Sequence, residues 1–361
     1  MKAAVFLEAG APLSLEDVEL LPLGPRDVRV RIGATALCHT DVAIRAGHHS
    51  YGAPLIMGHE ACGLVEAVGA AVSGIVPGDR VISSTAPSCG HCANCTGGHP
   101  NICVLSASVR DVPRARRADG TIAPGLFGLG SFAEAMIVDQ ASVVPVRTAL
   151  PDSWLALIGC GVTTGLGAVL NRACVPVGGA VAVIGCGAVG LAAIQGARLA
   201  GAANIVGIDP RAARRQQALA LGAANVFDPA DGDVAARVID ATGGADTVID
   251  AVGNPATVRQ AFAMARRSGE VIIVGMPARD AHYDFEAWPF FLSEKRISSS
   301  LFGTADIRRD FPRYVRLAES GKLDLQSLVS TTMTLDEVNN GLDALGCGNV
   351  VRAVIVQSGA G

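Results

Sequence analysis

The chain has 361 residues, half of them hydrophobic and 17% charged, with 43 glycines and a formal net charge of −4. That length accommodates two domains with sizeable cores, and the composition excludes a fibrous or intrinsically disordered chain. The mild acidity leaves no global field to draw in nucleic acid or an anionic membrane.

In chain order, the first third reads as short strands over 3–7, 28–37, 61–68 and 80–84, punctuated by Gly24-Pro25 and Pro77-Gly78-Asp79. This pattern predicts a mostly antiparallel, irregular β region. A segment of low periodicity follows over 104–130, and its Arg114, Arg116 and Arg117 read as a small solvated basic group. The middle third changes character. Strand-like runs at 180–184, 205–208, 246–252, 270–275 and 296–301 interleave with helical patterns at 189–200 and 211–221. Such alternation implies βαβ units and a parallel sheet. The last sixty or so residues return to a mixed pattern that ends in a strand over 350–356. There is no internal repeat.

Two features bear on location. The uncharged stretch 173–197 would attract a hydropathy scan, but it holds six glycines and Pro176, which argues against a membrane span. At the N-terminus, Lys2 precedes only a short apolar run before Glu8, unlike an export signal. The expected setting is therefore the reducing cytoplasm, with the ten cysteines serving as metal ligands or free thiols.

Four of those cysteines, Cys89, Cys92, Cys95 and Cys103, follow C-x₂-C-x₂-C-x₇-C within fifteen residues. Thiols this closely spaced can converge on one tetrahedral ion, and a Cys₄ site is closed, so it holds a loop and does no chemistry. A disulfide framework is the alternative, and nothing else in the chain points to secretion. The remaining cysteines, Cys62, Cys174, Cys186 and Cys347, sit among small or apolar neighbours and read as buried structural thiols.

A second signal lies where the strand 180–184 runs into Gly185-Cys186-Gly187-Ala188-Val189-Gly190 and a helix begins. Gly185 permits the tight turn, Gly187 lets a pyrophosphate approach the backbone, and Gly190 lets helix and strand pack closely. The N–H groups of Ala188 and Val189 then open the helix toward the phosphates. Nineteen residues past Gly190, Asp209 closes the second strand, where a carboxylate binds ribose hydroxyls and repels a 2′-phosphate. NAD is the expected cofactor. The neighbouring Arg211, Arg214 and Arg215 keep NADP as an alternative.

Cys38-His39-Thr40-Asp41 and Gly58-His59-Glu60 each place metal-ligating groups beside further polar residues. Catalytic zinc takes three protein ligands and keeps a fourth position open. Cys38 and His59 supply two, and local spacing does not reveal the third.

With these residues in hand, the chain resembles the zinc-dependent medium-chain alcohol dehydrogenases over nearly its whole length. The resemblance also rests on Gly159-Cys160-Gly161, Thr163-Thr164-Gly165 and the basic end at Arg352. It implies an α/β protein: a GroES-like, mostly β catalytic domain over 1–161 with the four-cysteine lobe at 89–103, a Rossmann doubly wound parallel-sheet domain over 162–301, and a return to the catalytic domain over 302–361. It supplies Cys160 as the third catalytic ligand, for two zinc ions per chain. It also makes Asp41 the partner of His59, puts Glu60 behind the metal, and places His39 and Arg352 at the pyrophosphate with Arg214 nearby. Thr40 would relay the alcohol proton. Many relatives carry a histidine five residues past the first ligand; this chain has Ala43, so the relay takes another route, with His48 and His49 as weaker candidates. Pocket-lining candidates are Thr40, Thr85, Met276 and Leu301.

The expected activity is interconversion of an alcohol with its aldehyde or ketone by hydride transfer to or from NAD. A primary aryl, terpenoid or medium-chain alcohol fits best. A mycothiol- or glutathione-dependent formaldehyde dehydrogenase is the alternative enzyme. A zinc-binding interaction protein is the alternative outside enzymes, disfavoured by the absence of basic residues around the cysteine lobe. The expected partner is a small molecule, with neither nucleic acid nor membrane. The resemblance implies a homodimer through the sheet edge near 296–301, with a tetramer as the alternative.

Overall fold

The computed structural model describes residues 1–49 and 51–357. It divides into two compact units, one of Met1–Cys160 with Asp306–Gly361 and one of Gly161–Ala305.

The first unit is built on two antiparallel-rich sheets. In the larger, Asp27–Ala36 is the hub: it pairs antiparallel with Ala61–Val68, Ala135–Asp139 and the C-terminal strand Ala353–Val356. Arg80–Ser83 and Val143–Pro145 extend the sheet on one side, and Thr331–Met333 on the other. The chain end thus returns to the first unit by adding a strand beside its hub. The smaller sheet orders Leu55–Ile56, Lys2–Phe6, Ser14–Leu20 and Ala115–Arg117. Ser14–Leu20 has an alternating half-exposed pattern broken by charges, and the sequence reading missed it. Three apolar clusters lie in the unit, one around Val30, Ile32, Val138 and Met136, one around Leu37, Ile44, Phe132 and Leu342, and one around Val5, Val18 and Ile56.

In the second unit, six strands pair entirely in parallel. Their spatial order is Asn225–Phe227, Asn204–Ile208, Ala180–Ile184, Ala245–Asp250, Ala265–Ile273, Arg296–Ser299. Numbered along this unit the order is 3-2-1-4-5-6, the doubly wound dinucleotide arrangement. Its central strand Ala180–Ile184 is buried at every position, as a sheet covered on both faces requires.

Several expectations need correction. The second unit runs to Ala305, not 301, because the turn Leu301–Thr304 packs Gly303 against Thr163 and Gly167 of the same unit. The segment 104–130 carries a short helix, Ser106–Arg110, and a strand, Ala115–Arg117. Of its arginines only Arg116 is exposed, paired with the likewise exposed Glu19; Arg114 is buried and paired with Asp27, and the half-buried Arg117 is paired with Glu16. Cys174 and Cys347 are exposed, since each follows the end of a helical segment; Cys62 and Cys186 are buried. The stretch 173–197 is loop, strand and helix. Among the described residues, only the helical run Asp152–Arg172 is long and apolar enough to cross a membrane, and 72% of its apolar window is buried inside the protein.

Candidate metal centre and nucleotide site

Cys38 sits just before the short helix His39–Arg45, and its N–H donates to Asp41 Oδ2 at 3.0 Å. The other oxygen of the same carboxylate lies 3.1 Å from His59 Nδ1. Asp41 therefore ties the two ligand segments together and turns the second imidazole nitrogen away from itself. Gly58 makes the approach possible: it has φ +88°, and a Cβ there would lie 2.3 Å from Phe132. Cys160 arrives from far along the chain, in the π-helical turn Ile158–Val162. Such widened turns recur at functional sites. A Cβ on Gly159 would lie 2.9 Å from the Ser83 carbonyl oxygen, so the glycine lets the helix come up to the sheet.

The donor atoms of Cys38, His59, Glu60 and Cys160 all lie within 4.8 Å of one another. Their electrostatics are those of a site that wants a cation. The side-chain hydrogen bond with Cys160 holds the Cys38 thiol well below its ordinary range, and the same contact pushes Cys160 up. Burial disfavours a charged His59, but the Asp41 carboxylate outweighs it and lifts the ring well above its usual value. Burial pushes Glu60 up to about 8, against the pull of Arg352. Glu60 Oε2 is buried and has no hydrogen bond. Two thiols, an oriented imidazole and a carboxylate behind them form a soft N/S donor set that fits zinc, with Cys38, His59 and Cys160 as ligands and a fourth position open.

Arg352, expected at the cofactor pyrophosphate, is 3% exposed within the first unit. Its guanidinium lies 3.1 Å from Glu60 Oε1 and donates to the Leu37 carbonyl at 2.6 Å. His39 is exposed at the first position of its helix, and Thr40 is half-buried with Oγ1 3.6 Å from Cys38 Sγ. Replacing Asp41 with asparagine keeps the shape but removes the charge that orients His59. A 10–100-fold loss of metal affinity or kcat/KM is expected, of the size found when the partner of a metal-bound histidine is removed; chelator titration and steady-state kinetics check it.

A cavity of about 520 Å³ opens in the same unit, walled by Tyr51, Leu55, Arg110, Ile122, Pro124 and Phe127 among others. Phe127 links it to the ligand cluster by standing edge-on to His59, ring centroids 5.4 Å apart. Its φ of +55° is left-handed, a conformation that costs a phenylalanine about 1–3 kcal/mol and marks a position held by its surroundings. Arg110 lies over the Phe127 ring and donates to the Thr85 carbonyl, but neither Thr85 nor Thr40 lines this cavity. Tyr51, Arg110 and Phe127 carry no motif, and sequence reasoning missed them. Met276 and Leu301 belong to the second unit, where both are exposed.

In the cysteine lobe, Cys89, Cys92, Cys95 and Cys103 bring their sulfurs together in the same way. Sulfur pairs stand 3.9 Å apart and all four thiols are free, so no disulfide joins them. Backbone N–H groups of Cys89, His91 and Cys92 point at sulfur, the arrangement that stabilises thiolates. Donors from Cys95 and Val104 hold Cys92 down at about 6, while burial pushes Cys95 up to about 12. A structural zinc fits this closed set.

In the second unit, Gly185 has φ +87°, and a Cβ on Gly190 would lie 1.8 Å from the Gly185 carbonyl. Above Gly187 the nearest atom to an added Cβ is Arg214 Nη1 at 4.0 Å, which leaves room over the loop. The helix Ala188–Leu199 starts there, with Gly187 as its N-cap. Asp209 accepts from the N–H of Cys186 at 2.9 Å and of Arg211 at 2.8 Å, which brackets the glycine turn. Arg214 approaches Asp209 to 3.8 Å and has a buried Nε without a partner. Cys186 is fully buried and its thiol is pushed up to about 12, so it is a poor nucleophile.

A Cys/His donor cluster in a β unit, joined in one chain to a doubly wound sheet with a glycine fingerprint, is the combination of a zinc-binding oxidoreductase. The family of the Alcohol dehydrogenase GroES-like domain matches residues 24–148, and that of the Zinc-binding dehydrogenase matches 188–320. Geraniol dehydrogenase of Castellaniella defragrans is 36% identical over 98% of this chain and 97% of its own length. Alcohol dehydrogenase class-3 of Cereibacter sphaeroides is 34% identical over 98% and 99%. The solved benzyl alcohol dehydrogenase of Acinetobacter calcoaceticus superposes with a TM-score of 0.92 at 28% identity, covering 99% of both chains. The chain belongs to the zinc-dependent medium-chain alcohol dehydrogenase family.

Proposed function

We propose that this protein oxidises a primary aryl, terpenoid or medium-chain alcohol to its aldehyde with NAD, using one catalytic and one structural zinc. The observation that carries the reading is the convergence of Cys38, His59 and Cys160 within 4.8 Å. When bound, zinc supplies the Lewis acidity that makes an alcohol proton labile, and the nicotinamide accepts the hydride. The chain's own residues do the rest. Two thiolates and a neutral imidazole offset the ion's charge, so a developing oxyanion is stabilised without being trapped. Thr40, beside Cys38, takes the alcohol proton at Oγ1 and passes it toward the exposed His39. Phe127 and Tyr51 supply an apolar wall for the substrate's body.

Geraniol and benzyl alcohol, named for two of the relatives, are the first substrates to try. NAD is preferred because Asp209 presents a buried carboxylate at the end of its strand. Asp209→Gly is expected to bring the NADP/NAD ratio of kcat/KM up by at least about tenfold, as removal of one close charge repulsion does.

One observation favours a second reading. Arg110 lines the cavity with a buried, unpartnered Nε, and none of the ion pairs among the described residues includes it. Burial holds its guanidinium below the usual arginine range. A substrate with a carboxylate, such as the hydroxymethyl adduct of glutathione, would complete that group. A steady-state panel of benzyl alcohol, geraniol and the thiol adduct separates the two readings, and turnover confined to the adduct would overturn the first.

The homodimer is proposed from the edge strand Arg296–Ser299, next to the helix Ala287–Ser293, whose Trp288 and Phe291 are about 70% exposed. Light scattering tests it. A reducing cytoplasm is the setting that the free cysteines favour.

A further inference from the structure

Cys62, Arg80 and Asp152 take no part in the chemistry above, yet they form a polar cluster in the catalytic unit, with Cys62 buried and the other two half-buried. Asp152 Oδ1 accepts from Arg80 Nε at 2.6 Å and from the Cys62 thiol at 3.3 Å. Arg80 Nη1 donates to the carbonyls of Thr148 and Leu150, at 3.0 and 2.9 Å. The other oxygen of Asp152 occupies the space where Gly33 lacks a side chain: a Cβ there would lie 1.8 Å from Oδ2.

Each partner belongs to a different segment of the catalytic unit. Cys62 lies in the strand Ala61–Val68, three residues past His59. Arg80 opens the neighbouring strand Arg80–Ser83, paired in register as Cys62↔Ile82. Asp152 opens the helix Asp152–Leu157, which passes without a break into the π-helical turn that carries Cys160. From Asp152 to Cys160 is a lever of about 12 Å at the rise of an α-helix. Its far end is seated too, by the close approach of Gly159 to Ser83 and Glu60.

We propose that Asp152, held by Arg80 and Cys62, is a positioning residue that sets the helix start so that Cys160 reaches the ion shared with Cys38 and His59. Asp41 ties Cys38 to His59 by hydrogen bonds to both segments, whereas Cys160 arrives from far along the chain at the end of a helix. A ligand delivered by a long helix needs its base fixed, because a shift of about 1 Å at a metal ligand is enough to loosen the site. The Asp152 carboxylate does this with charge-assisted hydrogen bonds that lock one strand edge to one helix start.

The inference rests on the reading of Cys38, His59 and Cys160 as a metal site, and cobalt(II) substitution tests both separately. The parent protein is expected to take up two cobalt ions with thiolate charge-transfer and d–d bands. Asp152→Ala should weaken the catalytic ion's retention against a chelator by about 10–100-fold, as loss of a supporting group behind a metal ligand does, and alter the d–d bands. The lobe's ion should stay bound. Asp152→Asn should fall between, and Asp152→Glu should recover part of the loss. Val138→Ala, a cavity in the core of the same unit, serves as the control for destabilisation alone. Metal retention by the Asp152 variants equal to that of the Val138 variant overturns the inference, and Asp152→Asn decides it if Asp152→Ala fails to fold. Uptake of one cobalt by the parent would instead sink the metal-site reading itself.

Discussion

Changing Cys160 to serine is expected to cut kcat/KM by at least about a thousandfold and to lower bound zinc from two ions per chain to one. The magnitude follows from the several kcal/mol of charge stabilisation that a metal ion contributes to hydride-transfer chemistry of this kind. Cys160 is one of only two sulfurs in the cluster. A serine hydroxyl neither ionises near neutral pH nor matches the soft ion, so the remaining pair of ligands holds zinc weakly. Folding should survive, because the helix that carries residue 160 is buried through Leu155, Ala156 and Leu157 and not through the thiol. Zinc analysis with a thermal melt checks the result. A variant that keeps two zinc ions and near-parent turnover would falsify the proposed centre.

The second large effect falls on stability. Cys103→Ser should empty the four-cysteine lobe and lower Tm by about 10 °C, the response of a domain of this size to a loss of roughly 3–4 kcal/mol. The lobe has little else to hold it. Its secondary structure is a four-residue helix, Ala93–Thr96, and a three-residue turn, Pro100–Ile102. Neither survives alone in water. Cys103 is the only one of the four that is buried, and it closes the set from outside the C-x₂-C-x₂-C run. The second unit holds a parallel sheet of its own. Nucleotide binding by that unit should therefore persist in the variant, measured by nicotinamide fluorescence. An unchanged Tm with one zinc missing would show that the lobe needs no ion.

Much of this was legible without coordinates, and unevenly so. The four-cysteine motif and the glycine fingerprint are local: each packs its chemistry into one turn or one strand–turn–helix, where spacing alone dictates geometry. Strands 61–68 and 180–184 were readable for a related reason, since their apolar runs are bounded by glycine, aspartate or charged residues. The arginines at 114 and 117 misled because a charge run looks the same whether solvent or carboxylates face it. Their partners Asp27 and Glu16 lie in other strands. Cys174 and Cys347 misled because small apolar neighbours do not report where a helix stops.

The amino-acid order alone determined that the chain holds a dinucleotide turn, a tetrathiolate loop and two half-sites of a third constellation. The family resemblance already named Cys160; only the folded chain brought its sulfur to the other two, made Tyr51, Arg110 and Phe127 wall one cavity, and joined Asp152 to Cys62 and Arg80. Over a few residues the backbone's two soft dihedrals set which side chains can meet. Across a hundred residues that choice passes to strand register and helix packing, which spacing along the chain does not encode.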